Sequence, residues 1–207
     1  VNDAGNPWVS RPVAPEASAT TETPQLLLSP ASGPLTPHRG GVPAPDRVDQ
    51  LPTVKHPAAA ELWVVGTHGG AGESSLAALS PRWAAAGHGW PLVEGATQPS
   101  ARVVLAARSN LRGLRSAQAA ATQWAAGLVP FVEVVGLVVV ADAPGRLPRP
   151  LRDFAKVVSG GVPRTWHVGW IEPWRLGEPV SVETAPRDVR RLTDELHTLV
   201  GAGTTGT

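Results

Sequence analysis

Val134-Val-Gly-Leu-Val-Val-Val-Ala141 constrains this chain more than any other stretch, because it runs without a single polar side chain. A strand with one wetted face alternates apolar and polar residues. One that is apolar throughout is expected to be covered on both sides, which is the condition of a parallel sheet sandwiched by helices. Shorter apolar runs flank it. Glu61-Leu-Trp-Val-Val-Gly66 and Arg102-Val-Val-Leu-Ala-Ala107 read as strands, as do Trp90–Glu94 and Trp166–Ile171 more weakly. Between them, helical spacing of apolar residues predicts helices over Ser74–Ala86, Leu111–Ala126, Leu151–Val158 and Asp188–Val200. Strand and helix in alternation predict an α/β fold of three layers, α/β/α, around a mainly parallel sheet of about five strands.

The rest of the chain divides unevenly. Residues 1–58 hold half of the 22 prolines among Ser, Thr, Ala and Gly. Such a stretch buries too little apolar surface to offset its ordering entropy, so it is expected to be a disordered arm. Within it, the Leu26-Leu27-Leu28 run is expected to dock on the domain or on a partner. Residues 59–200 form the predicted domain, and 201–207 a flexible tail.

Composition excludes several classes of function. With no cysteine, thiolate metal sites, iron–sulfur clusters and cysteine nucleophiles are ruled out. A formal net charge of +1 gives no electrostatic case for nucleic acid or a polybasic membrane anchor. No apolar run is long enough to span a bilayer and no secretory signal is visible, so a cytoplasmic protein is expected. The six histidines fall in no metal-ligand spacing, and there is no Gly-x-Ser-x-Gly nucleophile elbow.

The segment with the most chemistry runs Gly66-Thr-His-Gly-Gly-Ala-Gly-Glu-Ser-Ser-Leu76, between a predicted strand and a predicted helix. Gly69, Gly70 and Gly72 allow a tight turn whose N–H groups face inward, a cradle for an anion. Ser74 and Ser75 fall where a hydroxyl caps a helix or ligates a phosphate-bound Mg²⁺. A purely structural turn, tight because the packing demands it, is the alternative.

His68-Gly-Gly-Ala-Gly-Glu-Ser-Ser75 resembles the Lys-Gly-Gly-x-Gly-Lys-[Ser/Thr]-[Ser/Thr] motif of the MinD/ParA group of P-loop ATPases. Every glycine and both hydroxyls match; both lysines do not, being His68 and Glu73 here. The resemblance extends through Leu76–Leu79 and into Ala86–Glu94, which places Glu94 where that group carries an aspartate acting in hydrolysis. More loosely, Trp166–Trp174 looks like its last core strand and the loop bordering the base. It also extends to small actinobacterial proteins, including ones carried on mobile elements. What the resemblance implies is a P-loop NTPase-like domain with Gly69, Gly70, Ala71, Gly72, Glu73, Ser74, Ser75 and Asp142 around a nucleotide, Ser74 holding Mg²⁺, and Mg-ATP as cofactor.

Glu73 limits that implication. At an effective dielectric of about 20, exchanging an attractive for a repulsive unit charge at about 4 Å changes the interaction by roughly 8 kcal/mol. ATP is therefore tolerated only if Glu73 points elsewhere, a cation bridges it, or an arginine supplies the lost charge. Arg108, Arg112 and Arg146 are the candidates. Asp142, at the end of the long apolar strand, reads either as a Walker B-type acid or as a base-contacting residue, or as a turn cap before Pro144. Arg146, Arg149 and Arg152 read as a phosphate- or partner-binding patch or as a solvated loop. Trp166 and Trp170 are expected in the core on one strand face, with Trp174 open.

The function these readings give is a degenerate, partner-binding switch, nucleotide-responsive or nucleotide-free, with weak or no ATP hydrolysis. An unidentified protein partner and a homodimer are its expected associations. The alternatives are a structural adaptor that binds no nucleotide, and an NAD-type dinucleotide domain with Glu94 as the ribose acid.

Overall fold

The computed structural model describes residues 28–38, 40–95 and 101–202. Leu26 and Leu27 of the leucine run, and residues 203–207 of the expected tail, lie outside them. Seven strands are present among the described residues. β2 (Leu62–Gly66), β3 (Trp83–Ala85), β5 (Ala101–Arg108), β6 (Val132–Val140) and β7 (Thr165–Val168) form one parallel sheet in the order β3-β2-β5-β6-β7. β1 (Thr53–His56) and β4 (Trp90–Val93) form a separate parallel pair.

The long apolar run owes its composition to double cover. Val134, Leu137 and Val139 belong to one buried cluster with α2 (Leu111–Ala125) and α3 (Arg149–Ser159). Val135, Val138 and Val140 belong to the other, with α1 (Glu73–Ala77) and α5 (Arg187–Ala202). β5 divides the same way, Val103, Leu105 and Ala107 against Val104 and Ala106. The α/β class, the parallel five-stranded sheet and the two helical layers therefore agree with expectation. A four-residue α4 (Glu172–Arg175) follows β7.

Three expectations need correction. The helix predicted over Ser74–Ala86 stops after five residues, at Ala77. Pro81 has no N–H to continue it and disfavours the helical region at Ser80. The buried Leu79 and Trp83 that suggested a helix stripe instead flank a turn into the edge strand β3. Trp90–Val93 is a strand, but it sits beside β1 rather than in the main sheet. And the arm expected to be disordered is ordered in its described part, residues 28–38 and 40–58. It supplies β1, a 3-10 turn at Arg47–Asp49, and a stretch hydrogen-bonded across β7 and α5.

Polar side chains buried in the apolar layers make that order possible. The Gln123 carbonyl oxygen on α2 accepts from Trp90 Nε1 at 2.9 Å and from the Leu51 amide at 3.0 Å. Its amide nitrogen donates to Leu51 O at 3.0 Å. One side chain thus fastens α2 to β4 and to the segment that leads into β1. Leucine at 123 keeps the volume but orphans two buried donors, at about 1–3 kcal/mol each. Gln123→Leu is expected to lower the urea midpoint by an amount worth about 3 kcal/mol. A midpoint unchanged within error would show that the side sheet contributes nothing to global stability.

Candidate functional site

The order β3-β2-β5-β6-β7 reverses direction between β2 and β5, and in open α/β sheets ligands collect beyond the strand ends at such a switch. The glycine turn leaves β2 at this point. Gly70 and Gly72 have φ of +74° and +99°, conformations that side chains with a Cβ resist. Ala71 donates its amide to His68 O, whereas the amides of Glu73, Ser74 and Ser75 meet no acceptor among the described residues. With only five residues, α1 is too short to add the dipole of the longer helix expected from the sequence.

His68 fastens the turn sideways. Its Nδ1 lies 2.9 Å from Gly69 O and its Nε2 3.0 Å from the Arg108 amide nitrogen. The amide can only donate, so Nε2 is the acceptor and Nδ1 carries the proton. His68 thereby locks the glycine turn to the end of β5.

Arg108, the last residue of β5, reaches over the turn. Nε donates to Gly70 O at 2.9 Å and one terminal nitrogen to Ala141 O at 2.9 Å, bridging the glycine turn to the end of β6. Burial lowers its pKa, as does the neighbouring charge of Arg175, against opposing contributions from Asp142 and Glu73. Of the three arginines considered from the sequence, this is the one hydrogen-bonded to the turn. Arg112 lines an open groove on the α2 side, and Arg146 a pocket beside α3.

Glu73 turns away from all of this. Its Oε1 lies 3.4 Å from His88 Nε2, and its carboxylate packs under Gly66, where a Cβ would stand 2.8 Å from Oε2. Oε2 itself is buried with no hydrogen-bond partner.

What remains is a pocket of about 150 Å³, walled by Gly72, Ser75, Arg108, Trp170, Trp174 and Arg175, with aliphatic atoms of Leu76, Val140 and Ile171. Arg175 stacks on Trp170, its guanidinium carbon 5.0 Å from the ring centroid. Neither Arg108 nor Arg175 has a carboxylate within 4.0 Å among the described residues. Two positive side chains therefore converge on one small cavity that no carboxylate lines, although the charges of Asp142 and Glu73 reach Arg108 from outside it.

The structure brings together Gly72 and Ser75 of the residues picked from the sequence and separates the others. Gly69 faces the α2 groove, Ser74 is exposed, and Ala71 is buried beneath the turn. Asp142 is exposed and lines a different pocket, beyond the other face of β6, with its amide donating to Ser109 Oγ. Glu94 follows the side strand β4 and pairs with Lys55 of β1 at 4.0 Å, so it stands at the end of the side sheet rather than of a main-sheet strand. Trp166 is buried as expected, but β7 ends at Val168 and Trp170 sits in the following loop, lining the pocket rather than the core. Arg175 went unnoticed in the sequence. The signal available was its place one residue after Trp174, in the segment likened to a base-bordering loop.

The pocket does not fit Mg-ATP. No carboxylate lines it, the hydroxyl expected to hold the metal is exposed, and its volume is about that of a benzene-sized cavity. Among the described residues no group of three or more metal-ligating side chains occurs, and no helix is long and apolar enough to cross a membrane.

Residues 60–192 match a family described as "Family of unknown function (DUF6668)". The match covers well over half of the chain, which therefore belongs to that family. No curated protein and no solved structure matches.

Proposed function

We propose that this chain is a degenerate P-loop-like, partner-binding switch that responds to a nucleotide without hydrolysing it. The observation that carries the reading is Arg108, hydrogen-bonded to Gly70 O above the glycine turn while Glu73 points the opposite way to His88. A positive charge has returned to the turn from a neighbouring strand, and the carboxylate that would repel phosphate has been withdrawn. Hydrolysis needs a group that orients water and stabilises the charge developing on the leaving oxygen. No acid or base lines the pocket to orient water, so binding is not followed by turnover.

The response lies in the segment from Gly169 to Gly177. It carries Trp170, Trp174 and Arg175 into the pocket wall and leaves Leu176 72% exposed on its outer side. A ligand that engages Arg175 holds this segment in place and so changes the surface presented around Leu176 to a partner.

Calorimetry with Mg-ATP, Mg-GTP, NAD and the free nucleotides, paired with a phosphate-release assay, tests the reading. Heat with a nucleotide and no phosphate release is the expected result. Silence with every nucleotide removes the switch and leaves a structural adaptor. Steady phosphate release in proportion to protein would make it an enzyme and overturn the non-hydrolytic part.

A further inference from the structure

The volume and charge of the pocket restrict its ligand further than the word nucleotide does. Sites for drug-sized ligands usually enclose about 300–1,000 Å³, whereas the space between Arg108 and Arg175 is about 150 Å³. One phosphate fills that space and a triphosphate does not. A second cleft, of about 440 Å³, adjoins it through Trp170, Ile171 and Trp174 and is rimmed by Glu172, Glu178 and Ser181. The small cationic cavity and the larger aromatic cleft thus share a wall, with an acceptor-rich rim on the far side.

The charge is equally selective. A P-loop takes its ligand as a magnesium chelate, in which metal and lysine divide the phosphate charge. Here two arginines line the small cavity and no carboxylate does, Asp142 and Glu73 acting on Arg108 only from outside it, so a divalent cation brought in with the ligand finds no anionic ligand there and meets like charge. A bare dianion meets the remaining terminal N–H groups of Arg108 and the exposed guanidinium of Arg175 instead. Arg108 is already positioned by its two carbonyl partners, and Arg175 by the Trp170 ring.

We propose that the pocket binds a nucleoside monophosphate free of metal, its phosphate between Arg108 and Arg175 and its base in the cleft against Trp170 and Trp174. This rests on the reading above, that a nucleotide occupies this site, and it inverts the magnesium dependence that a P-loop would show. The magnesium-free ligand binds better, and a longer phosphate chain binds worse.

The experiment is a titration of the full chain with AMP and GMP, followed by tryptophan fluorescence and by calorimetry, in EDTA and again in excess Mg²⁺. Inorganic phosphate, ribose 5-phosphate and Mg-ATP serve as comparison ligands. Expected are saturable quenching by a monophosphate in EDTA, weaker binding in Mg²⁺, and much weaker binding of ribose 5-phosphate. Arg175→Ala is expected to lose about 10- to 100-fold in affinity, the range for a hydrogen-bonded charge, and Arg175→Lys to recover only part of it. Arg175 is exposed, so both variants should keep the wild-type circular dichroism spectrum and thermal midpoint. Tighter binding of Mg-ATP than of any free monophosphate overturns this inference and leaves the nucleotide reading standing. Ribose 5-phosphate or inorganic phosphate binding as tightly as AMP overturns the role given to the tryptophans. No binding by any of these ligands overturns both.

Discussion

Replacing Glu195 by alanine is expected to destabilise the protein by about 4 kcal/mol, the largest effect of any single side chain discussed for this fold. The carboxylate lies on α5, is fully buried, and accepts four hydrogen bonds. Trp166 Nε1 donates at 2.8 Å, the Ser29 amide at 3.0 Å, Ser29 Oγ at 3.1 Å and Arg191 Nε at 2.8 Å. Burial by itself would push the carboxyl's pKa up. The donors, Trp166 first and then Ser29 and Arg191, outweigh it and hold the group below its ordinary value. Because the folded-state pKa is depressed, the stabilisation is fully present above the unfolded-state value and lost as pH falls through the folded one. The loss therefore begins below the ordinary glutamate value of 4.5. Denaturant unfolding of the wild type and of Glu195→Ala checks both statements. The two curves should stand furthest apart near neutrality and draw together in acid. A gap independent of pH would show that the charge on Glu195 contributes nothing beyond packing.

Gly113→Ala is expected to destabilise by about 2 kcal/mol, even though alanine is the better helix former by about 1 kcal/mol. A Cβ at 113 would stand 2.3 Å from Arg108 O, 2.8 Å from His68 Nε2 and 2.9 Å from Arg108 N. Two of those atoms are backbone and do not swing aside. The methyl therefore forces the start of α2 away from the end of β5 and strains the His68–Arg108 hydrogen bond that fixes the glycine turn. The thermal midpoint should fall accordingly. Gly69→Ala is the matched control, since nothing lies within 4 Å of its Cβ position and its φ is not in the left-handed region. If Gly113→Ala proves no worse than Gly69→Ala, the close packing of α2 on the turn is not a source of stability.

The strands of the central sheet were legible because burial on both faces leaves a composition that no polar position interrupts, as in Val134–Ala141. β3 was not, because Trp83, Ala84 and Ala85 at a sheet edge carry too few residues to show a period. Leu79 and Trp83 also fall at helical spacing by coincidence. The side sheet was missed for a different reason. Thr53–His56 looks like loop, its burial being exposed throughout but for His56, and only its pairing with β4 makes it a strand. At the site, local pattern located the glycine turn but not its charge. Arg108 and Arg175 are 67 residues apart in numbering and meet only because the ends of β5 and β7 border the same pocket. Glu73, whose charge the sequence sets against a phosphate, lies beside His88. Its escape toward His88 depends on β3 lying beside β2, which the helix predicted there would have prevented.

The pairing of β1 with β4 also bears on where this protein can be cut. Residues 60–192 match the family, but β1 and the Leu51 backbone held by Gln123 both precede residue 60. A recombinant fragment trimmed to the matched region would lose both. It would present β4 as a lone ribbon with an open edge, the kind of surface on which chains stack into aggregates. Expression plasmids for crystallography or screening are better started upstream of Ser29 and β1, so that the strand travels with the domain it closes.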